Sequence, residues 1–488
     1  MMSRCMITNA STHGAGFYLS FSNLEDEVEK AKLAGYDYYP IISYLKVSEL
    51  NTYQLFTQLE LPEPAIYLAT NQTDSSYVII ASQPMHDTIF TSQNSIQDFI
   101  KNCQVPQLDM PFFTGGLVGF WSYDYGLLQA NLLTRKAEYP LEYFFMPQEI
   151  IVYDKKLGIL TTIMWLNTTD IHDFTLPLIS KRIALIEKVA TYANNASTDT
   201  LNSLDIRSFS CNISDNDFSK LVEKAKEKIK LGELYQVVLS RRYEKESLAE
   251  PMAVFEKLCQ INYSPYNFFL KLADFTLLGA SPESQIKVKN NRLTVCPIAG
   301  TKAITGHKYH DLQAVQALIT DEKELAEHTM LVDLSRNDLA KVSKPNTVAV
   351  KDLFQLKYFS HVVHLVSTVT SVLKEDVDSL NAFAATFPAG TLSGAPKKQA
   401  LQIIQDLEPE ARGLYGGSVG HISFAGDMDS CIIIRSAIYK AGKYFIQSGA
   451  GIVEDSNPMI ECQETLNKAK AVMKAILSAE EDINDFTY

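Results

Sequence analysis

Short apolar stretches with the alternation typical of β-strands recur along the chain and are separated by polar turns. Residues 65–84 predict two strands around a turn, because apolar residues flank a cluster of Asn, Thr, Asp and Ser. Residues 267–301 predict successive antiparallel strands, with Asn290 and Asn291 at a turn. No internal repeat of fixed period is visible. The strand pattern therefore indicates antiparallel sheets.

Helical spacing is clear over residues 217–233, where Leu221, Ala225, Ile229 and Leu231 form one apolar stripe that a glycine ends. Two further long helical segments and a final strand–loop–helix unit follow. Because helices and strands do not alternate regularly, the pattern predicts an α+β fold rather than a βαβ fold.

The polar composition of one segment suggests how the chain is divided. Residues 190–218 are rich in Asn, Ser, Thr and Asp, so a connection between lobes is expected there. We predict an N-terminal lobe over 1–195, a polar connection over 196–213 and a catalytic region over 214–478. The acidic tail, 479–488, is expected to fray.

Composition narrows the classes of protein that fit this pattern. Among 488 residues, 44 are Lys or Arg and 57 are Asp or Glu, and the net charge of −13 argues against a nucleic-acid partner. Seven cysteines include no C-x-x-C pair, so zinc sites and disulfide frameworks are not expected. No apolar run approaches membrane-spanning length. We expect a protein of the reducing cytoplasm, with no membrane contact.

Two predicted helices each begin with paired carboxylates. Asp321 can cap the first, which places Glu324, Glu327 and His328 on one face. Taken alone, this pair is most simply a capping box with solvated charges. The second helix begins at Asn457 and Pro458, which are typical of a helix start.

That second helix presents Glu461, Glu464 and Lys468 on one face. Two helices with carboxylates near their N-termini can together hold a hard cation such as Mg²⁺, which prefers oxygen ligands. The absence of Cys and the scarcity of His among these residues argue against zinc or copper. Metal binding and solvated charges both remain open from the spacing alone.

Four further features could bind an anion or transfer a proton. The segment 387–399 is a Gly/Ser/Thr turn before a helix, and 446–456 contains a glycine-rich strand end with free backbone groups or a tight turn. Arg435 interrupts an apolar run, so it pairs with a ligand carboxylate or a structural partner. His364, also among apolar residues, is either a core histidine or a proton acceptor.

Taken together, these segments resemble the chorismate-utilising enzyme family, and within it the anthranilate synthase large components. The matching stretches include "GELYQVVLSRRY", "LLGASPE", "PIAGT", "ELAEHTMLVDLSRNDL", "HLVSTV", "GTLSGAPK" and "YGGSVGHISFAGDMDSCIIIRSA". The resemblance implies two large antiparallel sheets packed face to face and flanked by helices. It also implies Mg²⁺ as cofactor and chorismate as substrate.

The resemblance also implies roles for individual residues. Glu327 and Glu464 match the core metal ligands, supported by Glu324 and Glu461. His364 matches the catalytic histidine, and Glu324 and Thr391 are assigned to catalysis with it. The expected substrate contacts are Gly300, Thr391, Tyr415, Arg435, Gly449, Ala450, Gly451 and Lys468.

Two positions favour one reaction within the family. Relatives that add water at C2 of chorismate carry a lysine where this chain has Gln236, and relatives that aminate C4 often carry a lysine where it has Ala299. The resemblance therefore implies conversion of chorismate and ammonia to anthranilate and pyruvate, the first committed step of tryptophan biosynthesis. Aminodeoxychorismate synthase, 2-amino-2-deoxyisochorismate synthase and an inactive scaffold remain alternatives.

A partner and a regulatory site are also implied. None of the seven cysteines has the context of an amidotransferase nucleophile, so we expect a separate glutamine amidotransferase subunit or direct use of ammonia. The candidate tryptophan site includes a position where an acidic residue is replaced by Ala69, so inhibition is expected to be weak, altered or absent. The residues of that candidate site are Thr70, Ser264, Pro265, Tyr266 and Asn267.

Overall fold

A computed structural model describes residues 24–47, 49–72, 76–169, 176–192, 205–358 and 362–485. The helices in these ranges are α1 (Leu24–Leu33), α2 (Thr52–Gln58), α3 (Gln93–Asn102), α4 (Tyr123–Gln129), α5 (Leu176–Tyr192), α6 (Asp215–Lys230), α7 (Pro251–Ile261), α8 (Lys308–Ile319), α9 (Glu322–Val342), α10 (Ser379–Thr386), α11 (Lys397–Leu407) and α12 (Pro458–Asp485).

The strands in the same ranges are β1 (Tyr38–Lys46), β2 (Ala65–Asn71), β3 (Ser76–Phe90), β4 (Gly116–Trp121), β5 (Glu142–Asp154), β6 (Ile159–Asn167), β7 (Ser210–Cys211), β8 (Gln236–Glu246), β9 (Tyr266–Lys271), β10 (Thr276–Ser281), β11 (Ser284–Lys289), β12 (Arg292–Val295), β13 (Ile298–Ala303), β14 (Ala349–Tyr358), β15 (Val362–Val372), β16 (Gly394–Ala395), β17 (Ser418–Ser423), β18 (Met428–Ile432), β19 (Ser436–Lys440) and β20 (Lys443–Ile452).

Antiparallel pairing arranges these strands in two large sheets. The first runs in the order β1-β6-β5-β3-β2-β9-β10-β19-β20-β8-β7. The second runs β4-β17-β18-β11-β12-β15-β14, with β13 beside β15. The start of β5 pairs with β4, so this one long strand joins the two sheets.

Strand alternation explains how the sheets pack. In β2, Ile66 and Leu68 point into a core shared with the second sheet, where Leu117 and Val419 lie. Their neighbours Ala65, Tyr67 and Ala69 point to the opposite face, into a second core with α2, α7 and α12. Each face of the first sheet is thus covered. The predicted α+β fold of two packed sheets flanked by helices is confirmed.

Local predictions are largely confirmed. The two strands of 65–84 are β2 and β3, and Asn290 and Asn291 form the turn between β11 and β12, with φ angles of 51° and 60°. The stripe predicted on α6 is wrong at Leu231, which follows the last helical turn and is 77% exposed. Phe218 and Val222 join Ala225 and Ile229 on the buried face instead.

The predicted polar connection and acidic tail can be compared with the structure only in part. Much of the polar connection lies outside the described residues, although Ser210 and Cys211 already pair with β8. The acidic tail does not fray at 479, because α12 continues to Asp485, and Ala479 is buried. Nowhere in the described ranges does a helix have the length and apolar character needed to cross a bilayer.

Candidate active site

Side-chain caps start the two carboxylate-bearing helices where the sequence predicts. Asp321 Oδ1 accepts hydrogen bonds from two backbone N–H groups in the first turn of α9, at 3.2 and 3.3 Å. Asn457 Oδ1 accepts two equivalent bonds at the start of α12, at 3.0 and 3.3 Å. These caps fix the helix starts, and with them the rotation of the glutamates that follow.

On α9, the two glutamates lie close together beside an amide. Burial raises the pKa of Glu324, and the neighbouring charge of Glu327 raises it further. Gln236 Nε2, at the start of β8, donates a hydrogen bond to Glu327 Oε1 at 2.6 Å. A Cβ atom at Gly451 would lie 2.6 Å from that Nε2 atom, so the glycine leaves room for the amide.

On α12, the equivalent pair lies beside an ammonium group. Burial raises the pKa of Glu461, and Glu464 adds to the shift. Lys468 Nζ lies 2.6 Å from Glu464 Oε1 and donates to the Gly449 carbonyl at 3.0 Å. The charge of Lys323, on α9, works against the raised pKa of Glu461. The N-terminal turns of the two helices therefore face a common region.

The donor chemistry of the four glutamates fits a hard cation. All four offer carboxylate oxygens, and like-charge crowding, which a cation would relieve, contributes to the raised pKa values of Glu324 and Glu461. Within the part of the chain that the structure describes, no three acidic, His or Cys side chains are already grouped as a metal site. The assignment of these glutamates as metal ligands therefore stays a prediction.

Lys468 and Arg435 lie next to each other and form a cationic corner of the site. Arg435 has a φ of 51°, and its Nη1 atom donates to the Lys468 carbonyl at 3.0 Å. Burial lowers the pKa of Arg435, while Tyr415 and Glu464 oppose that shift. Burial raises the pKa of Tyr415 to about 12, so its hydroxyl stays protonated. This corner can receive a carboxylate, because the Arg435 guanidinium donates to a backbone carbonyl and not to a carboxylate.

A β-bulge brings Gly300 and His364 into the same region. The register of β13 against β15 shifts between Ala299 and Thr301, and Gly300 has a φ of 75°. A Cβ atom on Gly300 would lie 3.3 Å from Glu324 Oε2. Burial lowers the pKa of His364 to about 4, Arg435 adds to the effect, and the Gly300 backbone opposes it. The imidazole is therefore neutral at pH 7.

Sequence reasoning missed one buried acid. Glu283 lies between β10 and β11, and its Oε1 atom accepts a hydrogen bond from Thr391 Oγ1 at 2.9 Å. Burial raises the pKa of this carboxyl to about 8, against the opposing effects of Thr391 and Lys468. The sequence signal was an acidic residue between two apolar strands, in "LLGASPESQI".

The glycine-rich segment is a strand rather than a turn. Gly449, Ala450 and Gly451 lie in β20 and pair with β8. The Ala450 side chain packs in a core with α6 and α11, so only its backbone can serve the site. The Gly449 carbonyl instead accepts from Lys468. Pairing between segments distant in sequence overrides the local preference of glycine for turns.

The candidate tryptophan residues lie on both faces of the first sheet. Thr70 lines a cleft of about 830 Å³, and Tyr266 reaches its wall through a 3.1 Å hydrogen bond to Asp429. Ala69 and its cross-strand partner Asn267 lie on the opposite face of the sheet, because neighbouring strand residues alternate. Ser264 and Pro265 instead bond through their carbonyls to Asn71. Aromatic side chains contribute much of the cleft lining, namely Tyr77, Phe112, Phe113, Trp165 and Phe424.

Carboxylates, cations and a glycine-lined strand thus lie around one region, and their chemistry suits an anionic substrate. The family described as chorismate binding enzyme matches residues 63–474, and the chain belongs to it. Anthranilate synthase component 1 from Aquifex aeolicus is 40% identical over 381 residues, which cover 76% of each chain.

Solved structures of similar proteins support the same fold. Anthranilate synthase component I from Streptococcus pneumoniae is 31% identical, with a TM-score of 0.68 over 88% of this chain and 92% of that chain. The menaquinone-specific isochorismate synthase from Escherichia coli shares the fold at 20% identity, with a TM-score of 0.71 over 93% of this chain and 100% of that one. The predicted family, and the resemblance to anthranilate synthase large components, are confirmed.

Proposed function

We propose that the protein converts chorismate and ammonia to anthranilate and pyruvate, in the cytoplasm and as part of tryptophan biosynthesis. The observation that carries the proposal is the uncharged pair Gln236 and Ala299 beside the site. Gln236 is engaged as a donor to Glu327, and an amide cannot remove a proton from water. Ala299 offers no nucleophile, so the relatives' lysine chemistry is absent at both positions.

The cationic corner binds the substrate. Lys468 and Arg435 lie within one hydrogen-bonded unit with the Gly449 backbone, and they match the two carboxylates of chorismate in charge. Tyr415 adds a neutral hydroxyl beside them. Glu327 and Glu464 would hold Mg²⁺, with Glu324 and Glu461 in support. When bound, the ion supplies a Lewis acid for the ring carboxylate and the leaving hydroxyl.

Glu283 supplies the proton for the first step. With a pKa of about 8, its carboxyl is protonated at pH 7 and can donate to the C4 hydroxyl, which leaves as water. Ammonia forms the new C–N bond at C2, and the proton it loses returns to the carboxylate. Thr391 orients the carboxyl through its 2.9 Å hydrogen bond.

His364 takes part in the second step. The proton on C2 is removed, the C3–O bond breaks, and the released enol becomes pyruvate as the ring becomes aromatic. A neutral imidazole next to the Gly300 backbone can accept that proton. Replacing His364 with Ala should make the aminated intermediate accumulate, and unchanged anthranilate output would contradict this role.

A glutamine amidotransferase subunit supplies the ammonia. The relatives named component 1 are consistent with a second component. Purified chain alone should therefore use ammonium salts but not glutamine. Glutamine hydrolysis by the isolated chain would contradict a separate partner.

The direct test is to incubate the chain with chorismate, Mg²⁺ and an ammonium salt and to identify the product. Anthranilate is fluorescent and carries no amine at C4, which separates it from the aminodeoxychorismate alternative. An Ala299→Lys variant should lose anthranilate formation. If product and rate are unchanged in that variant, position 299 does not select the reaction.

A further inference from the structure

A second buried histidine lies beside the site, and the proposed reaction does not use it. His328 follows Glu327 on α9 and has 0% of its surface exposed. Its Nε2 atom lies 2.6 Å from Ser367 Oγ, on β15. The bond therefore ties the helix that carries Glu324 and Glu327 to the strand that carries His364.

Ser367 makes two further hydrogen bonds to neighbouring segments. Its Oγ atom accepts from the Phe354 backbone N–H at 3.1 Å, and its own backbone N–H donates to the Pro297 carbonyl at 3.2 Å. The same serine thus connects α9 with β14, β15 and the segment that leads into β13.

Strand β14, whose Phe354 N–H donates to Ser367, contains a strained residue. Phe354 has a φ of 57°, a conformation that aromatic residues rarely adopt, and the register of β14 shifts around it. Its ring lies 5.3 Å from the His328 ring. A strained residue persists only where its surroundings hold it, and here Ser367 and His328 provide two of those contacts.

Two histidines lie close to the backbone of the β13 bulge. Burial lowers the pKa of His328, and the Ala299 backbone, which lies against the ring, opposes that shift. Among the described residues, Nδ1 has no hydrogen bond of normal geometry, so this contact is a close approach. From β15, the Gly300 backbone likewise opposes the lowered pKa of His364. The bulge backbone, which leaves the ladder, therefore lies near both histidines.

We propose that His328 is a positioning residue that acts through Ser367. It docks α9 against the Ala299–Gly300 bulge, and so sets the distance between the carboxylates of α9 and the substrate-side backbone of Gly300. The inference rests on the proposed function, because it assigns the bulge and the helix to one chorismate site.

Alanine variants of two buried serines on β15 distinguish a positioning role from a purely stabilising one. Ser371 lies four residues further along β15, is buried, and accepts a 2.7 Å hydrogen bond from Ser343, which ends α9. Ser367→Ala and Ser371→Ala each remove one buried hydroxyl between the same two elements. We expect similar falls in Tm from both. Only Ser367→Ala should weaken chorismate binding, by about tenfold in Kd.

Variants of the histidine test the direct link. His328→Met should weaken chorismate binding as much as Ser367→Ala, whereas His328→Gln, which keeps a polar group near Ser367, should recover part of the affinity. Combining His328→Met with Ser367→Ala should weaken binding no more than either change alone, because both remove one interaction. Additive losses in the double variant would overturn the proposal.

Binding is measured by calorimetry with chorismate, Mg²⁺ present and ammonia absent, so the readout does not depend on the product. Equal Kd values for Ser367→Ala, Ser371→Ala and the unaltered chain, despite lower Tm values, would show a purely structural role and overturn the proposal. If the unaltered chain binds chorismate but forms no anthranilate, the proposed function fails, while the Kd comparison still decides the role of His328.

Discussion

Helices α9 and α12 both begin at a side-chain cap and present two glutamates three residues apart, but their second glutamates have different partners. Glu327 accepts from the neutral amide of Gln236 at 2.6 Å. Glu464 lies 2.6 Å from the ammonium of Lys468. An amide leaves the negative charge uncompensated, whereas an ammonium neutralises it. The same local motif therefore places one candidate metal ligand beside a neutral donor and the other beside a cation.

The largest effect should come from removing either of these charges. Glu327→Gln and Glu464→Gln should each lower anthranilate formation by about 10²–10³-fold, because each removes an electrostatic element of the site. Fluorescence of the product measures the rate. Glu375→Gln, a change at an exposed residue paired with Lys344, is the matched control and should be silent. Activity in Glu327→Gln close to that of this control would refute the metal-ligand assignment.

Glu283 sharpens the comparison, because its pKa rises through burial without an acidic neighbour. Activity should fall as the pH rises through about 8, where the carboxyl loses the proton it donates. Glu283→Gln keeps a hydrogen-bonding group but cannot transfer a proton, so the rate should fall by about 10²-fold. An unchanged pH–rate profile in this variant would show that another group is the acid.

Glu283 also links stability to pH. Its folded pKa of about 8 exceeds the ordinary value of 4.5, so the folded protein binds more protons than the unfolded chain between these values. The contribution of Glu283 to the free energy of unfolding is therefore full below pH 4.5 and declines as the pH rises towards 8. The Tm of Glu283→Gln should decline less over that window than the Tm of the unaltered chain. Parallel Tm curves would contradict the shift.

Removing the partner of each carboxylate tests whether the ammonium and the amide differ in importance. Lys468→Met should raise the KM for chorismate by about tenfold or more, since it removes a charge-assisted hydrogen bond. Gln236→Met removes only a neutral donor to Glu327, so its effect on KM should be severalfold smaller. Steady-state kinetics at saturating ammonium measure both. Equal KM values for the two variants would mean that the ammonium has no special role.

The smallest effect is expected at the aromatic cleft, remote in sequence from the two helices. Tryptophan should inhibit weakly or not at all, because Ala69 lacks an acidic group and lies on the opposite face of the sheet from Thr70. A titration of activity with tryptophan measures this. Strong inhibition would show that the cleft binds tryptophan by other residues, and an Asp429→Asn variant would then identify one of them.

Features set by local chemistry were predictable from the sequence. The starts of α9 and α12 follow from Asp321 and Asn457, since an N-cap acts within one turn. The turn at Asn290 and Asn291 follows from the tolerance of asparagine for positive φ. These features need no knowledge of the rest of the fold.

Features set by contacts between distant segments were not predictable. Burial raises the pKa of Glu283, and its hydrogen-bond partner Thr391 is 108 residues away. The segment at Gly449 is a strand because β8 pairs with it. Ser367, whose residue type carries no functional signal, meets His328 only after α9 docks on β15. Tertiary pairing decides each of these cases.

Helix α12 has a consequence for how the protein is made. Its first turns carry Glu461 and Glu464, while Val472, Met473 and Ile476 complete the core against α7 and the first sheet. During synthesis, neither the core nor the site can close until this segment has emerged from the ribosome. A nascent chain therefore holds no finished pocket, and chorismate meets a reactive centre only in a protein that has already folded.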